Sequence, residues 1–455
     1  IKGKDNEYLL VWTTTPWTLV ANVAVAVNPE FNYVKAKSGE NIYYVLEDLV
    51  ESVLGKDFEI LDTILGKDLV GLKYEAPFSE LEVKKNAQHE VVAWDMVGSE
   101  EGTGLVHIAP GCGKEDFDLG KELGLEQIMP IDDAGVYMEG FDWLTGMQVK
   151  DATPKIFEYM EKNGFLFKLM DYSHRYPKCW RCKTELLFRV VPEWFISMDT
   201  PGKDGRSLRE RMIAAVSKDV KDGGTQWIPS FGQDRELDWL KNMHDWMISK
   251  KRYWGLALPI WTCSDCGKFE VIGSKEELKE RAISGWEKFE GHTPHRPFID
   301  EVKIKCEKCG KEMERIPDVG NPWLDAGIVP YSTLKYTQDR EYWKEWFPAD
   351  FVTECFPGQF KNWFYAMIAM SVALEDEMPF KTLLGHALVR DQNGEEMHKS
   401  KGNSIPFNDA ADSMGADVMR WLYLRQNPVN DLNFGPKTAD EVRRSFYLML
   451  WNSYK

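Results

Sequence analysis

Two Cys-x-x-Cys pairs, Cys263/Cys266 and Cys306/Cys309, constrain the fold of this chain more than any other feature of its sequence. Each pair is followed by a glycine, Gly267 and Gly310, and residues 267–305 separate the two. Four thiolates so spaced can surround one zinc ion tetrahedrally, which is the signature of a zinc ribbon. No signal peptide opens the chain, so zinc rather than disulfide is the expected use of these cysteines, and the cytoplasm the expected compartment. A third pair, Cys179/Cys182, is half of such a site. Cys112 and Cys355 have no partner by spacing and are expected to be ordinary buried thiols.

At 455 residues the chain is too long for one core, so two to four domains are expected. Its apolar runs fall far short of a membrane span, and no membrane is expected. The net charge of −17 excludes a generally basic nucleic-acid coat, yet leaves room for local basic loops that contact a polyanion. The fold class expected is multidomain α/β. Residues 1–170 carry short β-type runs broken by Gly and Asn, an α+β pattern. Residues 171–262 form a mixed connection rich in Trp and Arg, and 263–330 hold the cysteine-bracketed ribbon. Residues 331–405 alternate apolar and amphipathic runs as an α/β layer does. Residues 406–455 turn helical, with Val418, Trp421 and Leu422 on one face. Thr153-Pro154, as N-cap and first residue, predict a helix ending at Gly164. Thr438 to Glu441 read as a capping box. Both chain ends fall abruptly, as in a fragment entered and left within a domain.

Two segments carry chemistry. Thr13-Thr14-Thr15-Pro16-Trp17-Thr18 follows an apolar β-prone run, and Pro16 ends any ladder there. Threonines chosen only for an edge strand would look the same. Gly102 to Asp116 contains a strand ending at His107, a Gly-rich turn, and Asp116 in the first turn of a helix. Backbone N–H groups of such a turn suit an oxyanion, while an Asp there also suits the helix dipole.

Together these segments resemble the editing domain of class I aminoacyl-tRNA synthetases of the isoleucyl type. The resemblance extends over essentially all 455 residues. The Thr-Thr-Thr-Pro-Trp-Thr string separates this group from the valyl and leucyl types. The resemblance implies that Asp116 grips the α-amino group of a misattached amino acid. It implies that Thr13, Thr14, Thr15, Thr18 and Asn22 line a pocket for the tRNA 3′ adenosine and the attacking water. His107 would shape that pocket so that valine fits and isoleucine does not. Cys112 and Val20 depart from the usual His and Pro.

Further stretches resemble the synthetic half. His244 to Ile260 is similar to the segment that re-enters the catalytic domain, and Asp318 to Gly327 to another family motif. Glu354 to Phe364 resembles the stretch that binds the aminoacyl-adenylate, with Gln359 in place, and His386 belongs to the same nucleotide-binding set. Cys355 to Gly358 departs from the family pattern. Met397 to Asn403 resembles the Lys-Met-Ser-Lys-Ser-x-Gly-Asn loop of the family, which implies that Lys399, Ser400 and Lys401 face ATP phosphates. Glu396 stands where the first lysine is usual, and His398 replaces a serine. The His-x-Gly-His signature is absent; the nearest match, His292 to His295, lies in the ribbon. It is expected upstream of Ile1, as is a second cysteine pair completing the Cys179/Cys182 site.

The resemblance thus implies a partial Rossmann-type catalytic domain with a zinc-ribbon insertion, beside an editing domain. The activity implied is ATP- and Mg²⁺-dependent attachment of isoleucine to tRNA(Ile), with hydrolysis of mischarged Val-tRNA(Ile), by a monomer. The fragment alone is not expected to form adenylate. An editing-only deacylase and an inactive tRNA-binding paralogue are the alternatives.

Overall fold

The computed structural model describes residues 1–179 and 182–455. Trp180 and Arg181, between Cys179 and Cys182 in the sequence, lie outside the described residues. The chain divides into two compact units, Ile1–Pro192 and Glu193–Lys455.

In the first unit the strand Ala24–Val27 decides the arrangement. All four residues are buried, and it lies between Glu90–Ala93, to which it is parallel, and Val106–Ile108, to which it is antiparallel. Successive side chains of a strand point to opposite faces. Ala24 and Ala26 accordingly enter one core with Ile108, Leu144 and Ile156, while Val25 and Val27 enter another with Tyr33, Tyr44 and Leu105. A second sheet has the order Glu7–Leu9, Asn41–Leu46, Asn32–Ser38, Glu59–Leu65. This is the α+β mixture expected of the region.

Two local readings need correction. The threonines Thr13 to Thr15 are irregular, and Pro16–Ala21 is a 3₁₀ helix, so the segment turns inward rather than extending a strand. The helix expected from Thr153 begins at Val149, with Gln148 as its cap and Pro154 in its interior. Thr153 donates its hydroxyl to the Val149 carbonyl, so this residue extends the helix rather than capping it. Gly164, with φ +73°, does stand beyond the helix end, as expected.

The second unit is built on three parallel strands in the order Val352–Cys355, Thr382–His386, Gln226–Ile228. Its third strand comes from the 171–262 connection. The helix Trp363–Glu375 is apolar on nearly all sides, and Phe364 to Ala369 are buried, as expected for a helix without a water-facing side. Between Gln226–Ile228 and Val352–Cys355 a five-stranded sheet is inserted, in the order Phe269–Val271, Ile260–Thr262, Glu312–Arg315, Lys303–Lys305, Ala282–Ser284. Its core centres on Trp261, whose indole N–H donates to the Val302 carbonyl at 2.8 Å. The insertion closes at a narrow neck, where Ser249 pairs with Gly320 and both Lys250 and Ala257 pair with Val319.

The C-terminal residues are helical as expected, but the capping box is not formed. The helix starts at Pro436, with Gly435 as its cap and no side-chain cap bond, because proline at the first helical position sets the start earlier. Among the described residues no helix is long and apolar enough to cross a membrane.

Candidate functional site

Hydrogen bonds join the threonine segment to the His107 strand, and a separate one joins the residues after that strand to the Asp116 helix. The Thr15 N–H donates to Thr13 Oγ1 at 3.0 Å, and Thr18 Oγ1 donates to the Thr15 carbonyl at 2.8 Å. Thr18 Oγ1 also lies 2.8 Å from His107 Nε2. Its proton being engaged by Thr15, the hydroxyl accepts from His107, which places the imidazole proton on Nε2. His107 Nδ1 is buried and has no hydrogen-bond partner among the described residues. Burial, with Lys84 nearby as the second cause, lowers the His107 pKa to about 4. The imidazole is a neutral wall at physiological pH.

Two residues beyond His107, the Ala109 N–H donates to Asp116 Oδ2 at 2.7 Å. Asp116 is the third residue of the helix Lys114–Leu123, whose cap, Gly113, offers no side chain. Burial raises the Asp116 pKa, outweighing the Ala109 hydrogen bond that lowers it. Thr14 is exposed and Thr13, Thr15 and Asp116 are half-buried, so hydroxyls and a carboxylate remain open to a ligand beside the buried Thr18–His107 pair.

Asn22 is placed differently. Its amide nitrogen donates to the Ala24 carbonyl at 2.8 Å, and its amide oxygen accepts from the Tyr74 hydroxyl at 2.7 Å. His89 Nε2 lies 3.2 Å from the Asn22 carbonyl. The side chain is buried and occupied in bracing the segment. Sequence reading missed Tyr74, His89 and Lys84 in this surround. Lys84 is buried, donates to the Pro77 carbonyl at 2.8 Å, and has its pKa lowered to about 7 by burial. A lysine in a short charged run carries no local signal of burial. Cys112 is buried, as expected, and burial pushes its thiol pKa up.

The four ribbon cysteines converge. The Sγ atoms of Cys263, Cys266, Cys306 and Cys309 all lie within 4.8 Å of one another, with Cys263–Cys309 at 3.5 Å and Cys266–Cys306 at 3.7 Å. Four sulfurs about 2.3 Å from one tetrahedral zinc would stand roughly 3.8 Å apart, so the donor set and its spacing fit that ion. Each knuckle repeats one backbone pattern. The Cys263 N–H donates to the Lys268 carbonyl and the Gly267 N–H to the Cys263 carbonyl; Cys306, Lys311 and Gly310 do the same. Gly267 and Gly310 have φ of +68° and +74°, a turn that glycine takes without strain. Cys179 shares the pattern with Thr184, but Lys183 takes the left-handed place at φ +63°. No further ligand joins Cys179 and Cys182 among the described residues.

The lysine loop forms a 3₁₀ turn at Lys399–Lys401, ended by Gly402 at φ +71°. Asn403 ties it down: its amide oxygen accepts from the His398 N–H, and its amide nitrogen donates to Asp391 and the Glu396 carbonyl. Lys399, Ser400 and Lys401 are exposed, and neither lysine has an ion pair among the described residues. Glu396 sits 3.4 Å from His398. A cavity of about 570 Å³ opens at the C-terminal ends of the three parallel strands, lined by Phe231, Trp239, Phe356, Phe360, Lys361 and His386 among others. That is where ligands bind in open α/β sheets. Of the residues expected around a nucleotide, His386 lines it. Glu354 and Gln359 instead accept the N–H groups of Cys355 and Trp363.

The family described as tRNA synthetases class I (I, L, M and V) matches residues 14–435, and the chain belongs to it. Within that class the chain is similar to curated isoleucine–tRNA ligases. The chain is 40% identical to that of Methanothermobacter thermautotrophicus over 99% of its own length and 42% of the relative's. It is 40% identical to that of Clostridium tetani over 100% and 42%, and 39% identical to that of Methanocaldococcus jannaschii over 100% and 43%. The chain thus spans less than half the length of the curated relatives it matches. A solved leucyl enzyme in a ternary complex from Agrobacterium radiobacter K84 shares 17% identity over 96% of this chain and 45% of its own, with a TM-score of 0.36.

Proposed function

We propose that the chain is the central part of an isoleucine–tRNA ligase, with residues 1–170 hydrolysing Val-tRNA(Ile). The observation that carries this is the hydrogen bond that ties Thr18 of the threonine segment to His107, with Ala109, two residues further along the same backbone, hydrogen-bonded to Asp116. Asp116 offers its carboxylate to the α-ammonium of the misattached amino acid. Thr13, Thr14 and Thr15 offer hydroxyls to the terminal ribose and the attacking water, and His107, neutral and fixed by Thr18, limits the side chain admitted. Asn22 supports them from behind. Hydrolysis adds water across the aminoacyl ester, releasing the amino acid and the tRNA 3′ hydroxyl. Donors preset around the developing oxyanion lower its energy. The need for such a site is energetic. One methylene is worth only about 1–3 kcal/mol to a pocket telling isoleucine from valine, the established magnitude for this discrimination.

In the second unit Lys399, Ser400 and Lys401 face the triphosphate of ATP–Mg²⁺, and His386, Glu354 and Gln359 belong to the nucleotide side. Cys263, Cys266, Cys306 and Cys309 hold zinc as a structural tie within a ribbon inserted into the catalytic domain. Cys179 and Cys182 contribute to a second metal site with ligands from the longer protein. A deacylase-only reading draws on Glu396, an acid where a phosphate-facing lysine is usual.

The test is deacylation of Val-tRNA(Ile) and Ile-tRNA(Ile) by the chain and by Asp116→Ala. The chain is expected to hydrolyse the valyl ester selectively, and the substitution to abolish that or redirect it to the isoleucyl ester. Equal hydrolysis of both esters, unchanged by Asp116→Ala, would overturn the reading.

A further inference from the structure

The segment Lys250-Lys251-Arg252-Tyr253-Trp254 puts three cations and two aromatics side by side in a chain whose net charge is −17. Exposed aromatics are ordinarily single and loose. These two are neither. Trp254 is 69% exposed, yet one ring face lies flat on His295, with centroids 4.9 Å apart and planes 11° apart. Tyr253 is 59% exposed, and the Arg296 guanidinium stands 4.7 Å over its ring. His295 and Arg296 are themselves anchored in the ribbon. Arg296 donates to Asp300 at 2.8 Å and to the Pro317 carbonyl at 3.0 Å. Asp300 also accepts from the buried Arg315, which donates to the Leu258 and Asp318 carbonyls. Lys251 is tied to the buried Asp318 at 2.7 Å. Lys250 is pinned by its backbone in the neck ladder. Among the described residues no carboxylate pairs with the side chains of Lys250 or Arg252.

We propose that Trp254, backed by His295, is a stacking shelf for an unpaired base of the tRNA acceptor end, with Lys250 and Arg252 taking the flanking phosphates. The inference rests on the reading of the chain as part of a tRNA ligase. An aromatic plane with one face covered and one free accepts one more flat ring, and a base is the ring that brings phosphates to adjacent cations. A paired base has its faces stacked within the helix, so the ligand must be single-stranded. Because the rings are already held, little side-chain freedom is lost on binding.

The test uses the zinc-loaded chain and two labelled RNA hairpins of one stem sequence, blunt or with a four-nucleotide single-stranded 3′ end. Affinity is read by fluorescence anisotropy across a salt series. The overhang hairpin is expected to bind more tightly than the blunt one. Trp254→Ala should weaken the overhang complex about tenfold, the size of one lost stacking platform, and leave the blunt one unchanged. Trp254→Phe should keep most of the difference. Arg252→Ala should weaken both complexes and flatten the salt dependence. Equal affinity for both hairpins, or an overhang preference that survives Trp254→Ala, would overturn the shelf. Deacylation of Val-tRNA(Ile) is scored separately. Its persistence alongside a negative hairpin result removes the shelf alone, whereas loss of both ester hydrolysis and all RNA binding removes the tRNA reading as well.

Discussion

The Thr18 hydroxyl fixes a tautomer. By giving its proton to Thr15 and accepting from His107 Nε2 it leaves Nδ1 bare and buried, a polar atom the fold leaves unsatisfied beside the proposed pocket. Glu236 shows the same economy at a place without chemistry. It is fully buried on the helix Phe231–Asn242, and neither carboxyl oxygen has a hydrogen-bond partner among the described residues. Burial holds its pKa well above the ordinary carboxylate range. The folded state therefore binds more protons than the unfolded chain once pH passes the unfolded carboxyl's value near 4.5, and stability falls as pH rises from there toward the folded value. Glu236→Leu is expected to raise stability at pH 7 by about 1–3 kcal/mol, with a smaller gain at pH 4.5, read from urea unfolding at the two pH values. Unchanged stability at pH 7 would mean the carboxyl is satisfied in solution. At this scale the sequence pointed to segments in which residue types recur in a string: Thr18 is hydrogen-bonded to His107, and Asp116 to the Ala109 N–H two residues on. It was silent on Lys84, His89, Tyr74 and Glu236, because burial of a lone polar residue is decided by long-range packing rather than by its neighbours in the chain.

Among the elements, glycine spacing after the cysteine pairs foretold the two knuckles, because a positive φ follows the second cysteine of each. The helix at Val149 and the unused capping box at Thr438 were misread at their starts. Both errors have one cause: a cap signal is a local side-chain preference, and each helix starts upstream of it, at Val149 and at Pro436. The ribbon's core, Trp261, Ile272, Leu278, Phe289, Ile304 and Met313, is drawn from its own residues. The zinc proposed for the four cysteines would be a tie worth on the order of 10 kcal/mol in small metal domains. Chelation is expected to make residues 258–318 sensitive to protease and to speed their hydrogen exchange, while the helix Trp363–Glu375 stays protected. Equal loss of protection in both would show that the metal supports the parallel sheet as well.

For the whole molecule, the division at Pro192 and Glu193 is matched by the cores. The three clusters of the first unit draw only on residues of that unit, and the clusters of the second only on residues after Glu193. Residues 1–192 expressed alone are expected to fold and to melt in a single cooperative transition with retained near-ultraviolet dichroism. A molten product would show that the unit borrows its packing. Sequence patterning placed the first boundary near residue 170, where the α+β pattern gives way to a mixed stretch rich in Trp and Arg, and backbone bonds such as Val190 to Gly111 within the first unit leave no compositional trace.

The neck at Ser249, Lys250 and Ala257 against Val319 and Gly320 has an evolutionary consequence. Its two strands leave the rest of the second unit side by side, so whatever hangs beyond them can be lengthened, shortened or exchanged without disturbing the parallel sheet. Lineages are therefore free to remodel this appendage as a cassette, but a lineage that deletes it also discards His295 and Arg296, and leaves the aromatic pair at Tyr253 and Trp254 without its backing.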